Sequence, residues 1–240
     1  MKIQLISDLH IDFLPDFGKS LLNKIKNSEV DILVVAGDLA PINHPAFEKG
    51  LIELTSYYPI VIIVLGNHEY YYSSPQEVER ITTYLQKLIP NFYILENQTI
   101  ELSGITFAGT TLWYKRTPEA CKQETTKKQF QIISSFNPWV YQQNQAAREF
   151  LVTVDADIII THHLPSSKSV EPKYKNDSNC FYVCDVEDII HTNQPKYWLH
   201  GHTHINCNYQ IGNTRVIANP YGYPHESNSG FIEQLILEVN

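Results

Sequence analysis

The chain has 240 residues, of which 43% are hydrophobic and 18% are charged, a composition typical of a globular protein with a sizeable core. Its formal net charge of −8 disfavours a surface for nucleic-acid polymers, because such surfaces usually carry a basic stripe. The sequence shows neither a signal peptide nor the ~20-residue apolar run of a membrane span. We therefore expect one domain over residues 1–240, located in the cytoplasm, with no membrane partner.

The first predicted strand, Lys2–Ser7, is followed by two side chains that commonly bind metals, Asp8 and His10. In an extended segment, residues i and i+2 point to the same side, so a carboxylate oxygen and an imidazole nitrogen could reach one ion. Taken alone, such a pair is more often a solvated Asp and a loop His. The neighbouring motifs decide between these interpretations.

A second strand, Asp31–Ala36, ends in Gly37 and Asp38. A short helix over Leu21–Asn27 precedes this strand, and a helix from about 45 to 58 follows it. A carboxylate has two oxygens and can bridge two ions, which His and Asn side chains do not ordinarily do. Asp38 is therefore our candidate for a bridging ligand.

The clearest strand end is the apolar run Val61–Leu65, which stops at Gly66 and continues as Asn67, His68 and Glu69. A buried strand followed by Gly and polar groups is how α/β proteins direct chemistry to the crevice beyond their strand ends. The Asn67 amide oxygen is an acceptable ligand for a hard cation, and we expect His68 to act as an acid or a hydrogen-bond donor. Asn and His are also ordinary turn residues, but the repeated context argues against that interpretation.

The middle of the chain gives fewer functional signals. We predict an amphipathic helix over Glu77–Leu88, strands near 92–95, 99–102 and 105–110, and a helix over Pro138–Val154. Gly104 suits a hairpin turn, and the polar stretch 118–131 predicts no clear element. The aromatic residues of this region more often fill a core than contact a substrate.

Two further strand ends carry histidines. The strand Asp157–Thr161 ends in His162 and His163, and the strand Tyr197–His200 is followed by Gly201, His202 and His204. A short helix over 185–191 lies between them. We expect strands of a second sheet at 208–210 and 215–218, a turn-rich segment at 219–226 and a closing strand over Phe231–Val239.

The stretch Leu164–Cys184 is long, polar and without clear periodicity. Loops of this length inside compact domains are usually functional or disordered, and this one directly follows His162, so we expect it to form part of a substrate mouth. Cys180 and Cys184 could bridge the loop, but four cysteines without a Cys-x-x-Cys pair favour free thiols.

Taken in order, the five strand-end motifs resemble those of the calcineurin-like metallophosphoesterases, here a stand-alone, bacterial-type phosphohydrolase. The motifs are Asp8-x-His10, Gly37-Asp38, Gly66-Asn67-His68-Glu69, Thr161-His162-His163 and Gly201-His202-Thr203-His204. They extend from residue 8 to residue 204. The resemblance implies an α/β fold with four layers, α/β/β/α, in which two mixed sheets pack face to face and are flanked by helices.

The resemblance also implies two metal ions and their ligands. One ion would be held by Asp8, His10, Asp38 and His204. The other would be held by Asp38, Asn67, His162 and His202. His162 is preferred to His163 because the family's ligand is the first histidine after the strand. His68 matches the catalytic position that protonates the leaving group or steadies the phosphoryl oxygens.

Such a centre suits the hydrolysis of phosphate esters. Two cations roughly 3.5–4 Å apart clamp the attacking and leaving oxygens, and a metal-bound water becomes hydroxide near pH 7. The nitrogen and oxygen ligands suit two divalent or trivalent ions, for which we expect manganese, with iron, zinc, cobalt or nickel as alternatives. We expect a dinuclear metal-dependent phosphohydrolase that cleaves a small phosphodiester or phosphomonoester.

Two departures from the family pattern bear on mechanism and substrate. Pro41 stands where many relatives have an Asp or Asn that orients the catalytic His, and Asn43 is the nearest substitute partner for His68. The arginines that Ser/Thr protein phosphatases place after Asp38 and Glu69 are missing. Bidentate Arg contacts usually hold a dianionic phosphate, so their absence favours diesters.

Two other functions compete with a small-molecule esterase. A nuclease of the same superfamily would be expected to show a basic surface and an added DNA-binding region, and neither is visible. A non-catalytic protein-binding scaffold would be expected to lose His68 or some ligands, and this chain retains them all. Tyr70–Tyr72, Tyr221 and Tyr223 could line a substrate pocket, although core packing is the more common role of any single tyrosine.

Overall fold

The computed structural model describes residues 1–226 and 229–239. Within these residues, eleven strands form two mixed sheets. The strands are β1 Lys2–Ile6, β2 Ile32–Ala36, β3 Ile60–Val64, β4 Phe92–Ile94, β5 Gln98–Leu102, β6 Ile105–Thr110, β7 Ile158–Thr161, β8 Tyr197–His200, β9 Cys207–Ile211, β10 Thr214–Ala218 and β11 Ile236–Glu238.

The first sheet has the order β11-β1-β2-β3-β4, and the second has the order β5-β6-β7-β8-β10-β9. In the first sheet β1 to β4 are parallel and β11 pairs antiparallel with β1. In the second, β6, β7, β8 and β10 are parallel, and β5 and β9 are antiparallel edges. The carboxyl ends of β1, β2 and β3 therefore lie at one edge of the first sheet, and those of β7 and β8 at one edge of the second.

Seven α-helices flank the sheets in the described part of the chain. They are α1 Lys19–Ile25, α2 Pro45–Tyr57, α3 Pro75–Leu88, α4 Pro118–Gln123, α5 Lys128–Ile132, α6 Phe136–Thr153 and α7 Glu187–Asn193. Three of them begin with Pro, whose missing N–H costs nothing there, and the residues before them (His44, Ser74 and Thr117) cap a backbone amide. Among the described residues no helix combines the length and apolarity needed to cross a bilayer.

The core consists of three packed interfaces. Strand residues such as Leu5, Val34 and Leu199 are fully buried between the two sheets. One outer face is covered by α1, α2 and α3, whereas α6 and α7 cover the other. Parallel strands covered on both faces read as continuous apolar runs, which is what the sequence shows. The predicted α/β architecture of two mixed sheets flanked by helices is confirmed.

The predicted closing strand Phe231–Val239 is wrong in extent, since only Ile236–Glu238 pairs as a strand. The backbone of Ile232 is instead hydrogen-bonded to the side chain of Asn219. The Asn219 amide nitrogen donates to the Ile232 carbonyl at 2.9 Å, and the Asn219 side-chain oxygen accepts from the Ile232 N–H at 2.9 Å. These bonds replace the ladder that a longer strand would need.

The loop Leu164–Cys184 is not irregular throughout. Three short 3-10 turns organise it, at Ser167–Ser169, Pro172–Tyr174 and Asp177–Phe181. Cys180 and Cys184 are both free thiols, as are Cys121 and Cys207, so no disulfide closes this loop.

Candidate metal centre

The five predicted strand ends meet at one place and bring two clusters of metal-capable side chains together. One cluster comprises Asp8, His10, Asp38 and His204, and the other comprises Asp38, His162 and His202. Within each cluster the candidate ligand atoms lie within 4.8 Å of one another. Asp38 belongs to both clusters, which is the position required of a bridging carboxylate.

The backbone at these strand ends is left-handed rather than extended. The residues concerned, with their φ angles, are Asp8 at 51°, His10 at 43°, Asp38 at 59°, His202 at 64° and His204 at 50°. The expectation that Asp8 and His10 converge through an extended i, i+2 spacing is therefore wrong. Residues with positive φ cost free energy and concentrate at functional sites, where the surrounding structure holds them.

Two glycines allow the strand ends to approach one another. A Cβ on Gly37, whose φ is 86°, would lie 2.2 Å from Nδ1 of His162. A Cβ on Gly66 would lie 2.2 Å from Oδ1 of Asp38. Both positions thus require Gly because a ligand side chain occupies the space that any other residue would fill.

In the second cluster, hydrogen-bond acceptor atoms outnumber the donors that face them. Nδ1 of His162 lies 2.9 Å from the Ala36 carbonyl, which places its proton there and leaves Nε2 as an acceptor. That Nε2 lies 3.1 Å from Oδ1 of Asn67 and 3.0 Å from Nδ1 of His202. The Asn67 amide nitrogen donates to the Tyr71 hydroxyl at 2.9 Å, so its oxygen faces the cluster. Converging acceptors of this kind fit a cation.

The first cluster is arranged around His204. Its Nε2 lies 3.1 Å from Nε2 of His10 and 3.5 Å from Oδ1 of Asp8, and its Nδ1 lies 2.7 Å from the Glu226 carboxylate. Burial by itself lowers the pKa of His204, but the hydrogen bonds to Asp8 and Glu226 outweigh burial and raise it to about 10. A carboxylate behind a His ligand is the usual means of fixing its tautomer.

The buried carboxylates beside these histidines differ in their electrostatics. Burial raises the pKa of Asp38 well above its ordinary value, and the nearby Glu69 and Asp8 raise it further. Burial also acts to raise the pKa of Asp8, but the hydrogen bond and positive charge of His204 hold it below its ordinary value. A bound cation would relieve the repulsion between these carboxylates.

Glu69 organises the site without joining either cluster. Its carboxylate accepts hydrogen bonds from the backbone N–H groups of Asp38 at 3.1 Å, Leu39 at 2.6 Å and Gly66 at 2.7 Å. Burial raises its pKa to about 7. The side chain therefore ties the turn after β2 to the turn after β3. Sequence analysis placed Glu69 in the motif but assigned it no role.

The predicted catalytic residue, His68, has a partner that the sequence did not indicate. Its Nε2 lies 2.8 Å from the hydroxyl of Tyr223, and its backbone N–H donates to Oδ1 of Asp38 at 2.8 Å. Asn43, the substitute suggested by the sequence, is not that partner. Burial lowers the pKa of His68 well below its ordinary value, and His10 lowers it further. Tyr223 follows β10, whose carboxyl end lies beside that of β8. The sequence offered only its place in the turn-rich segment 219–226 after a predicted strand.

His163, the second histidine after β7, lies outside both clusters. Its Nδ1 is 3.1 Å from the Thr111 carbonyl, and its ring centroid lies 4.5 Å from that of His202. The side chain thus packs behind His202. This geometry agrees with the preference for His162 as the metal-capable residue.

A cavity of about 530 Å³ opens onto the two clusters. His68, Tyr71 and Tyr223 line it, together with residues of the loop Leu164–Cys184. Tyr182 of that loop stacks on His202, with ring centroids 4.8 Å apart. Of the tyrosines singled out in the sequence, Tyr71 and Tyr223 border the cavity, whereas Tyr70 packs on Trp113 and Trp139 in the core.

Sequence comparison places this arrangement among known families. The sequence model of the calcineurin-like phosphoesterase family matches residues 1–206. The chain is 26% identical over 262 residues to an uncharacterized protein of Acanthamoeba polyphaga mimivirus, covering 95% of this chain and 93% of the viral protein. An uncharacterized metallophosphoesterase of Helicobacter pylori strain J99 is 30% identical over 120 residues, which are 48% of this chain and 31% of that relative.

Solved structures share the fold at low sequence identity. Phosphopantetheinyl hydrolase from Mycobacterium tuberculosis superimposes with a TM-score of 0.77 at 17% identity, covering 93% of this chain and 90% of that one. A dimetal phosphatase from Danio rerio gives a TM-score of 0.55 at 16% identity, covering 93% and 88%. The two sheets and the paired His/Asp clusters define a protein of the metallophosphoesterase class. The chain belongs to the calcineurin-like phosphoesterase family.

Proposed function

We propose that this protein is a dinuclear metal-dependent phosphohydrolase that acts on a small phosphodiester or phosphomonoester. The observation that carries the proposal is the sharing of Asp38 by two His/Asp clusters at the base of one cavity. A structural carboxylate such as Glu69 bonds backbone N–H groups. Asp38 instead faces Nε2 of His10 at 3.8 Å through one oxygen and Nε2 of His162 at 3.6 Å through the other.

The donors divide into two sets of four. The first set comprises Asp8, His10, Asp38 and His204, and the second comprises Asp38, Asn67, His162 and His202. When bound, a pair of cations would neutralise phosphoryl charge and make hydroxide available near neutral pH. The mixed donors suit manganese, with iron, zinc, cobalt or nickel as alternatives.

His68 serves the reaction as a donor to the phosphoryl group or to the leaving oxygen. Its backbone is held by Asp38, and its ring lies between Tyr71 and His10, with centroid separations of 4.2 and 4.3 Å. The ring is thus fixed by contacts on both sides. Fixed donors aimed at a reacting group contribute more than mobile ones because their reorganisation is already complete.

Three observations support a small substrate. The cavity volume of about 530 Å³ lies in the range of small-molecule sites. The net charge of −8 disfavours nucleic-acid polymers, whose binding depends on neutralising many phosphates. Asp38 and Glu69 are followed by Leu39 and Tyr70 rather than by Arg, so the bidentate contacts that hold a dianionic phosphate are missing at these positions.

The proposal is tested by a parallel screen of the manganese-loaded protein. The substrates are cyclic nucleotides, aryl phosphodiesters, aryl phosphomonoesters, a phosphopeptide, a DNA duplex and a phosphopantetheinyl ester, the last because of the group named for the M. tuberculosis hydrolase. We expect the highest kcat/KM with a small ester. A more than tenfold preference for the phosphopeptide would overturn the substrate class, and salt-sensitive DNA cleavage would instead support a nuclease.

The control is the Asp38→Asn variant assayed in the same screen. This variant keeps a side-chain acceptor for the His68 N–H but carries no charge to share between two ions. Hydrolysis by the variant at the rate of the unmodified protein would show that the activity comes from a contaminant or from another site.

A further inference from the structure

Two lysines line the same cavity as the metal-capable clusters. Lys127 and Lys128 are the lining residues with a fixed positive charge in the described part of the chain. The Lys128 ammonium lies 5.1 Å from the centre of the Tyr71 ring, and the Lys127 ammonium lies 4.8 Å from that of Phe181. We refer to Lys127 and Lys128 as the lysine pair.

The lysine pair has little compensating negative charge, since Lys128 acts on the partly buried Asp12 only at a distance, where it opposes the burial that raises the pKa of that carboxyl. Neither ammonium forms an ion pair among residues 1–226 and 229–239. The carboxylates that border the cavity already have partners: Glu171 pairs with Lys173 at 2.9 Å, Glu226 pairs with His204 at 2.7 Å, and Asp38 faces the histidines. Positive charge in a cleft attracts an anion, and ammonium groups bind phosphate and carboxylate readily.

The segment that carries the lysine pair is attached to both walls of the cavity. The Ile132 carbonyl accepts from the Tyr72 N–H at 3.2 Å, and the Ser134 N–H donates to the Ser73 carbonyl at 2.9 Å. On the other side, the Ser178 hydroxyl donates to the Gln123 side chain at 3.1 Å. The lysines are therefore held beside the turn that carries His68, not on a detached loop.

Tyr71 separates the lysine pair from the metal-capable clusters. Its hydroxyl contacts the Asn67 amide, whereas its ring face lies under Lys128. A scissile phosphate at the clusters would thus leave the lysine pair free. We infer that Lys127 and Lys128 bind a second anionic group of the substrate, a phosphate or carboxylate on an arm beyond the scissile ester. This inference rests on the proposed function.

The test compares p-nitrophenyl phosphodiesters that differ only in their second arm: butyl, 3-carboxypropyl or 3-phosphonopropyl. The leaving group is the same in all three, so the chemical step is matched. We expect the manganese-loaded protein to show a kcat/KM about tenfold higher for a charged arm than for butyl, the effect of one or two charge-assisted hydrogen bonds. The charged arm with the higher kcat/KM shows whether phosphate or carboxylate is the preferred group.

The double variant Lys127→Gln/Lys128→Gln should bring this ratio close to one, and the ratio cancels any change in the butyl rate that follows from loss of the Lys128 charge near His68. Lys122→Gln, on α4 of the same segment but outside the cavity, is the matched control and should keep the full ratio. A ratio unchanged in the double variant would overturn the inference and leave the lysines as partners of aromatic rings only.

A binding measurement separates this inference from the proposed function. Calorimetric titration compares propane-1,3-bisphosphonate with propylphosphonate on the same three proteins. Ester hydrolysis without any lysine-dependent difference overturns the inference alone. Lysine-dependent bisphosphonate binding without hydrolysis of any ester overturns the proposed function and retains an anion site. If the protein neither hydrolyses an ester nor shows lysine-dependent bisphosphonate binding, the inference and the proposed function are both overturned.

Discussion

The hydroxyl of Tyr223 lies 2.8 Å from Nε2 of His68, although 155 residues separate the two along the chain. The tyrosine ring is also stacked on His10, with centroids 4.3 Å apart. One side chain thus contacts the proposed catalytic histidine and a metal-capable histidine of the first cluster. Tyr223 lies beyond residue 206, where the family match ends. Pro41 stands where the family resemblance implies an orienting Asp or Asn, and Tyr223 contacts His68 from a different element.

We predict that Tyr223→Phe lowers kcat roughly five- to tenfold while KM and metal content change little. The ring and its stacking on His10 are retained, and the hydrogen bond that fixes His68 is lost, which corresponds to about 1 kcal/mol. Steady-state kinetics and elemental analysis on the same preparation measure both effects. Tyr221→Phe is the control, because Tyr221 packs on Phe231 outside the cavity. Equal losses in the two variants would argue against a positioning role.

His68→Ala is expected to retain metal while losing roughly 10²–10⁴-fold in turnover, the usual contribution of a general acid. Because burial lowers the pKa of His68, the anionic substrate must raise this pKa before the ring can act as that acid. The loss should be small for p-nitrophenyl esters and large for alkyl esters, since a good leaving group needs no proton. Rates measured over a series of leaving-group pKa values give this dependence directly. A uniform loss over the series would indicate that His68 binds the phosphoryl oxygens instead.

Asp38→Asn is predicted to lower the metal content from two ions per chain to one or fewer. The amide keeps an acceptor for the His68 N–H at similar geometry but cannot balance the charge of two cations. Elemental analysis after gel filtration provides the measurement. Asp16→Asn, an exposed carboxylate, serves as the control and should retain the full content. Two metals retained in the Asp38 variant would contradict the bridging role.

The elements that position the site could be predicted from sequence because their signals are local. Apolar runs mark β1, β2, β3, β7 and β8, and each is followed directly by polar, metal-capable residues. Carboxylate chemistry made Asp38 the candidate for a bridging ligand, and the structure places Asp38 in both clusters. Parallel strands buried on both faces leave few other arrangements for such runs.

What sequence analysis missed depends on contacts between distant segments. Glu69 accepts hydrogen bonds from the backbone of Asp38 and Leu39, which follow a different strand. The residues next to Glu69 in the sequence give no indication of these bonds. The left-handed backbone at His10 and His202 likewise has only a weak local signal, because His adopts positive φ more often than most residues but still rarely. Such conformations arise from the tertiary contacts that impose them.

Gly66→Ala is predicted to lower the free energy of unfolding by about 1–3 kcal/mol and to weaken metal binding. The added Cβ would lie 2.2 Å from Oδ1 of Asp38 and 2.7 Å from Cε1 of His162, so both side chains must shift. Chemical denaturation and metal titration test the two effects. Gly104→Ala is the control, because its Cβ meets no atom within 4 Å although its φ is 79°. It should cost only about 1 kcal/mol and leave metal binding unchanged.

Metal binding is predicted to release a proton from His204. The pKa of this ring is raised to about 10 in the metal-free protein, so between pH 7 and 9 its Nε2 carries a proton that an incoming ion must displace. The affinity of the first cluster should therefore rise with pH up to about 10. The folding stability of the metal-free protein depends on pH in the opposite direction. The contribution of His204 to the free energy of unfolding is complete below its unfolded pKa of about 6.5 and is lost as the pH rises through its folded pKa.

Calorimetry in buffers of different ionisation enthalpy counts the protons released at pH 8, and about one per chain should come from this site. Glu226→Gln removes the carboxylate that lies 2.7 Å from Nδ1 of His204 and should lower the pKa of His204 toward its ordinary value. The variant should then release fewer protons at pH 8 and reach its maximal metal affinity at lower pH. Glu29→Gln, on the surface beside Lys2, should behave as the unmodified protein. Equal proton release by the Glu226 variant and the unmodified protein would show that Glu226 does not hold the proton on His204.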